Sequence, residues 1–349
     1  MSLQKGGEMR EVLLKIVDAC PCDCSFCNSN ENFLTRFDRQ TFELDTWKRI
    51  ADDLITQGLQ VAIITGGDPL AKRKVALPLI RHLQDAGVFV TVNTSGAQFT
   101  SRSLLDALMK TYPDLLVFSI DSVYDYQHDE SRVRKGLFRL ILSTISTLKS
   151  SGDYPVGIRV VITNRNYTQI PEIISLFHGY GVDCMKFTHI ENDRSGDYLL
   201  SREQLREFDT SIRPRILGIL GECSFESEEL RRDACEKFSN LLLETPGGVT
   251  YEELSNGTFS PQLTVTAACD IVRRFSVIQS NGQVLPCCES EHHYSPVLGN
   301  LTTASAAEVF STKKYLSLFD NRQSYCTNCT EPHNMQITFR SRTLKVQQR

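Results

Sequence analysis

The chain has 349 residues, 41% of them hydrophobic, and a net charge of −4. That is enough for a sizeable core in one large or two smaller domains, and the slight acidity gives nucleic acid no electrostatic reason to bind. No apolar run reaches the roughly 18 residues of a membrane span, and the N-terminal MSLQKGGEMREVLLKIVD lacks the apolar stretch of a signal peptide, so a cytoplasmic protein with no membrane partner is expected.

In chain order, VLLKIVD (12–18) is β-branched and apolar, as a buried strand is. LDTWKRIADDLITQGL puts Trp47, Ile50, Leu54 and Ile55 on one helical face, with Asp45 as the expected N-cap. VAIIT (61–65) reads as a strand ended by Gly66-Gly67, followed by a helix over 73–87, a strand over 88–93 and a helix over 101–111. A strand over 115–121, a helix over 136–150, a strand over 156–163, a helix over 169–181 and a strand over 183–191 complete six alternating units. This alternation predicts an α/β fold with a parallel sheet. Six units are too few for a closed eight-stranded barrel, so a partial (β/α)6 TIM-like barrel is expected.

In such folds ligands gather at the carboxyl ends of the strands. The loop DACPCDCSFCNSN, then GGDP, NTSG and SIDS, follow strands one to four and so share one rim. Lys186 and His189 on the sixth strand, and Asp193 and Arg194 after it, are candidates to face a substrate on that rim. Residues 1–191 are read as the core, 192–262 as a helical linker with an insertion, and 263–349 as a C-terminal extension. Within the extension, FSVIQSNGQVLPCC reads as a hairpin with Asn281-Gly282 at its turn, SAAEVFSTKKYLSLFD as a helix and NMQITFRS as a last strand.

Twelve cysteines are many for such a chain, and in a reducing compartment clustered thiols bind metal or do chemistry more often than they pair. Four of them, Cys20, Cys22, Cys24 and Cys27, fall on the first loop. The Cys20/Cys22 and Cys22/Cys24 spacings are too tight for a usual zinc pair. Cys20-x3-Cys24-x2-Cys27 offers three thiolates, which on a cubane that takes four would leave one iron open. At the other end, Cys326-x2-Cys329 is a metal-ligand spacing that does not choose between zinc and iron–sulfur, and Cys269 and Cys287 are placed to complete a four-thiolate site. Cys184, Cys223 and Cys235 read as small apolar residues, with Cys235 the candidate if a thiol returns a hydrogen atom to substrate. His292-His293 reads as a solvated loop.

C-x3-C-x2-C with Phe26 before the third cysteine, on the loop after the first strand of a βα array, resembles the radical S-adenosylmethionine (SAM) superfamily. The resemblance implies a [4Fe–4S] cluster held by Cys20, Cys24 and Cys27. It implies SAM on the open iron, reductive cleavage of SAM to a 5′-deoxyadenosyl radical, and hydrogen abstraction from a substrate. TGGDP (65–69) resembles the family's glycine–glycine–acid motif, so that Gly66, Gly67 and Asp68 would meet the SAM amino group, with Asp in place of the usual Glu. By the same resemblance Ser95 and Ser119 would touch SAM, the latter near its ribose. Arg132, in HDESRVRKGLF, would lie near its carboxylate, and Asn164 near its adenosine. Cys22 would be a bystander.

The C-terminal pattern C…NGQVLPCC…LGNL…YCTNC resembles the SPASM or shorter Twitch region of this superfamily. It implies an auxiliary [4Fe–4S] cluster on Cys269, Cys287, Cys326 and Cys329, with Cys288 able to replace Cys287. A flavodoxin- or ferredoxin-type electron donor is the implied partner. The expected reaction is oxidation or other modification of a small polar metabolite such as an amino sugar or cyclitol, in resemblance to 2-deoxy-scyllo-inosamine dehydrogenase. The alternative is a maturase that crosslinks a peptide. About eleven residues precede the first strand, too few for the peptide-recognition domain that many maturases carry. A third possibility, a zinc module on an inactive core, sits poorly with an intact three-cysteine loop and GGD motif.

Overall fold

The structure is a computed structural model that describes residues 10–24, 26–27, 41–190, 197–242, 249–258, 274–287, 297–311 and 335–342. The apolar runs fold as strands β1 (Glu11–Lys15), β2 (Val61–Thr65), β3 (Phe89–Thr94), β4 (Leu115–Ser119), β5 (Val156–Ile162) and β6 (Cys184–His189). They lie parallel and side by side in chain order. All six carboxyl ends therefore share one rim, as the alternation predicts.

Helices α1 (Leu44–Thr56), α2 (Arg73–Asp85), α3 (Arg102–Thr111), α4 (Asp125–Ser131), α5 (Leu137–Ser150) and α6 (Ile170–Gly179) fill the crossovers. Asp45 is not the cap of α1. Glu43 holds that position, without a side-chain cap bond, and Asp45 sits in the first turn, where its charge complements the helix dipole. The entry is fixed instead by Phe42 packing edge-on against Trp47 at 5.8 Å, a hydrophobic staple across the first turn.

Strand alternation separates two faces. Val12, Leu14, Ile64, Val92, Phe118, Ile158, Val160 and Phe187 meet the helices in one continuous core. The other face carries two small apolar patches, one of Phe275, Val277 and Leu285 backed by Leu13 and Ile63, the other of Leu115, Val117 and Cys184.

The C-terminal residues complete this sheet on both sides. β7 (Phe275–Ile278) runs parallel to β1, β8 (Gln283–Leu285) and β9 (Gly299–Asn300) continue antiparallel, and β10 (Met335–Thr338) pairs antiparallel with β6. The result is one ten-stranded open sheet in the order β10-β6-β5-β4-β3-β2-β1-β7-β8-β9. The expected hairpin turn is present, with Gly282 at φ +81°, where a Cβ would lie 2.7 Å from Asn300 Oδ1.

The expected linker is built into the same core. α7 (Arg202–Glu207), α8 (Arg213–Glu222), α9 (Glu228–Asn240) and α10 (Tyr251–Ser255) extend the helix layer, and Phe238 of α9 meets Phe187 of β6 edge-on at 5.4 Å. α11 (Ala306–Ser311) is the described part of the last expected helix. Among the described residues no helix is long and apolar enough to cross a membrane.

Candidate functional site

The backbone pairing of β1 with β2 continues past both strands. Ile16 N–H donates to Thr65 O at 3.0 Å, Gly67 N–H to Val17 O at 2.7 Å and Asp68 N–H to Ala19 O at 2.9 Å. Only glycine allows this approach. A Cβ on Gly66, whose φ is +143°, would lie 2.0 Å from Val17 O, and one on Gly67 would lie 2.4 Å from the carbonyl oxygens of Asp18 and Ala19. The glycine pair thus sets the take-off of the cysteine loop. From the far side the loop is held by Asp23 N–H donating to Arg132 O at 3.3 Å, and by Ser280 Oγ, in the β7–β8 turn, donating to Asp18 at 2.7 Å.

This brings Cys20, Cys22, Cys24 and Cys27 onto one cleft of about 220 Å³ at the carboxyl rim. None of the four is in a disulfide, and Cys27 N–H closes a turn onto Cys24 O at 3.0 Å. The hydrogen bond from the Cys20 thiol lowers the Cys22 thiol to about 7 against the pull of burial, while burial pushes Cys24 up to about 12. Gly66, Gly67, Ser95, Ser119 and Arg132 also line the cleft, so five of the residues the family resemblance singles out converge on the thiols.

Asp68 and Asn164 sit elsewhere. The carboxylate of Asp68 is fully buried behind the rim and accepts from Leu70 N–H, Thr94 Oγ1, Ser95 N–H and Ser95 Oγ, the last at 2.5 Å. It ties the end of β2 to the end of β3 and so positions Ser95. Burial pushes its carboxyl up, although the Ser95, Leu70 and Thr94 donors pull the other way. Asn164 is outside the cleft lining. Its backbone N–H donates to Tyr198 O at 2.8 Å and its Nδ2 to Asp197 O at 3.1 Å, anchoring the segment after β6.

Arg132 lines the cleft while fixed by Asp121, with Nε and Nη2 on the two carboxylate oxygens at 2.5 and 2.7 Å. Its guanidinium stands 5.6 Å from the centre of the Phe26 ring, which meets Tyr198 edge-on at 5.9 Å. Burial alone would push the Asp121 carboxyl up, but the Arg132 charge and its hydrogen bonds outweigh it and hold the group below its ordinary value. A depressed carboxyl contributes stability above its unfolded pKa of about 3.9, and loses it as pH falls through the folded value. Asp121→Asn is therefore expected to cost about 3–5 kcal/mol at pH 7 by leaving Arg132 buried and unpaired, and less near pH 3. Chemical denaturation at the two pH values measures both.

The strand ends also supply cleft residues that the sequence reading passed over. Asn93 on β3, Arg159 on β5 and Thr188 on β6 line the wall opposite the cysteines, beside His189. The available signal was a cation at an inward position of the otherwise apolar VGIRVVI. Lys186 lies beside Arg159 in the β5–β6 ladder. Cys235 is on the outer helix α9, off the cleft, and Cys184 is buried under it with Val117. Of the auxiliary ligands, Cys287 sits just past β8 against Phe275 and Leu285. Cys269, Cys288, Cys326, Cys329, Asp193, Arg194 and His292-His293 lie outside the described residues.

Residues 14–177 match the model of the radical SAM superfamily, and residues 269–330 match that of the SPASM iron–sulfur cluster-binding domain. This is a radical SAM protein with a C-terminal SPASM domain. The second match begins at Cys269 and spans Cys326 and Cys329.

Among curated relatives, the AdoMet-dependent heme synthase of Methanosarcina barkeri is 24% identical over 302 residues, 86% of this chain and 82% of the relative. The PqqA peptide cyclase of Bradyrhizobium diazoefficiens is 26% identical, and the GTP 3′,8-cyclase of Marinobacter nauticus 27% identical. These two matches cover 52% and 58% of this chain, and only 46% and 62% of the respective relatives. Streptococcus suis SuiB bound to S-adenosylmethionine superposes with a TM-score of 0.64 at 17% identity, over 91% of this chain and 68% of its own. That likeness shows the fold.

The two domains imply SAM, a radical SAM [4Fe–4S] cluster and auxiliary iron–sulfur. The donor set fits: thiols for iron, and beside them glycine backbone, hydroxyls and a guanidinium for a polar ligand.

Proposed function

We propose that this protein reductively cleaves SAM in the cysteine-lined cleft and abstracts hydrogen from a small polar metabolite. The observation that carries the reading is the convergence of four thiols, the Gly66-Gly67 backbone, Ser95, Ser119 and Arg132 on one cleft that Asn93, Arg159, Thr188 and His189 also line. Cys20, Cys24 and Cys27 would hold the cluster, and Cys269, Cys287, Cys326 and Cys329 a single auxiliary one. When bound, cluster and SAM together supply a carbon-centred radical.

The residues of this chain do the rest. Gly66 and Gly67 expose backbone to the ligand, Ser95 and Ser119 offer hydroxyls, and Arg132 offers the donors that Asp121 leaves over. Phe26 and Ile190 give apolar contact at the mouth. A substrate would lie against Asn93, Arg159, Thr188 and His189.

A small substrate is supported by the relative matched over 82% of its length, which is a heme synthase rather than a peptide cyclase. A peptide substrate is the second reading, favoured by the likeness to PqqA peptide cyclase. The test divides an extract of the source cells into a low-molecular-weight filtrate and a peptide-bearing retentate. The filtrate is expected to stimulate 5′-deoxyadenosine formation by the reduced enzyme. Stimulation by the retentate alone would replace the small-molecule reading with the peptide one.

A further inference from the structure

The face of the sheet that forms the cleft carries two cations that no acid in the described fold answers. On β5, Ile158, Val160 and Ile162 point into the helix-side core, so Gly157, Arg159 and Val161 take the other face. On β6, Met185 and Phe187 point into the core, so Lys186 and Thr188 share the face of Arg159. Arg159 and Lys186 are direct partners in the parallel ladder, an arrangement of like charges that disfavours the sheet.

Three other cations held close to the fold have a carboxylate: Arg132 has Asp121, Lys149 has Asp183 and Arg213 has Asp209. Arg159 and Lys186 form no ion pair among the described residues, and Arg159 Nε is buried without a hydrogen-bond partner. Beneath them lies the apolar patch of Leu115, Val117 and Cys184, which excludes water and strengthens any charge interaction above it.

The register extends the pair into a row. Ser119 of β4 pairs with Arg159, Arg159 with Lys186, and Lys186 with Gln336 of β10. Hydroxyl, guanidinium and ammonium thus stand side by side across three strands, with the Gln336 amide, which donates to Thr338 Oγ1 at 3.4 Å, at the end of the row. That is a row of donors suited to a group with several anionic oxygens. SAM brings a single carboxylate to a cleft that Arg132 also lines, too few to answer Arg159 and Lys186 as well.

We propose that this row is the substrate anchor, and that the substrate carries a phosphate or carboxylate group bound by Arg159 and Lys186. The proposal rests on the reading of the cleft as a SAM-dependent site for a small molecule, and it narrows that reading. A phosphorylated or carboxylated metabolite fits, and an amino sugar without an acidic group does not.

The test uses the full chain, reconstituted anaerobically with iron and sulfide, with and without SAM. Pyrophosphate and tricarballylate serve as probes, followed by calorimetry and by the melting temperature. At least one probe is expected to bind and to raise the melting temperature. Preference for pyrophosphate assigns a phosphate, and preference for tricarballylate a carboxylate. Arg159→Gln and Lys186→Gln are each expected to weaken that probe by about tenfold or more, with SAM affinity changed less than about threefold. Without probe, Arg159→Gln should melt no lower than the wild type, since it removes an unanswered charge.

Binding of neither probe, or equal binding by the variants, overturns the proposal. So does a tenfold loss of SAM affinity in Arg159→Gln, which would make Arg159 the partner of the SAM carboxylate. If the wild type fails to bind SAM but keeps Arg159-dependent anion binding, the radical reading fails and the anion site stands.

Discussion

Cys20→Ala, Cys24→Ala and Cys27→Ala are each expected to lower SAM cleavage by more than about 100-fold, and Cys22→Ser by less than about threefold. Loss of even an outer partner of a metal ligand costs 10–100-fold, so loss of a direct ligand costs more. Iron per chain, about eight on the reading of one cubane at each end, should fall to about four in the triple Cys20/Cys24/Cys27→Ala variant. The structure puts all four thiols on the cleft, so exposure does not single out Cys22. The C-x3-C-x2-C spacing does. Iron analysis and product assay on the same preparations decide it, and a Cys22→Ser variant that fails both would make Cys22 a ligand.

The second large effect belongs to the glycines. Gly67→Ala would drive a methyl to 2.4 Å from two carbonyl oxygens of the cysteine loop, and Gly66→Ala to 2.0 Å from Val17 O at a φ of +143°. Backbone lies on both sides of each contact, so neither can be relieved by a rotamer change. Each variant is expected to lose about 3 kcal/mol or more and to melt roughly 5 °C lower. Each should also take up less iron, because the displaced segment is the one that carries Cys20. An alanine variant that melts and loads iron like the wild type would show that the loop does not depend on this approach.

The six parallel strands were legible because strands buried on both faces read as continuous apolar runs, and the helices between them showed a 3.6-residue stripe. The edges of the sheet were not. Pairing of β7 with β1 and of β10 with β6 joins residues hundreds of positions or many elements apart, and no local pattern encodes such a partner. The cysteine loop and glycine pair were visible because their chemistry needs particular residue types at fixed spacing.

Asp68 was visible as a carboxylate, but its orientation was not. It depends on Thr94 and Ser95, which reach it from the next strand. Asn164, which the resemblance places near the SAM adenosine, holds Tyr198 and Asp197 through its backbone N–H and its Nδ2, contacts that no local pattern encodes. Arg159 was missed because a lone arginine in a strand carries no spacing signal. Its meaning came from the register that sets it beside Lys186.

The cleft is expected to cleave SAM reductively. The direct measurement is 5′-deoxyadenosine formed from SAM and dithionite by the anaerobically reconstituted wild-type chain, analysed by liquid chromatography with mass spectrometry. 5′-Deoxyadenosine and methionine are expected in equal amounts, and neither from the triple Cys20/Cys24/Cys27→Ala variant. Iron-loaded wild-type protein that binds SAM and yields no 5′-deoxyadenosine would contradict reductive cleavage.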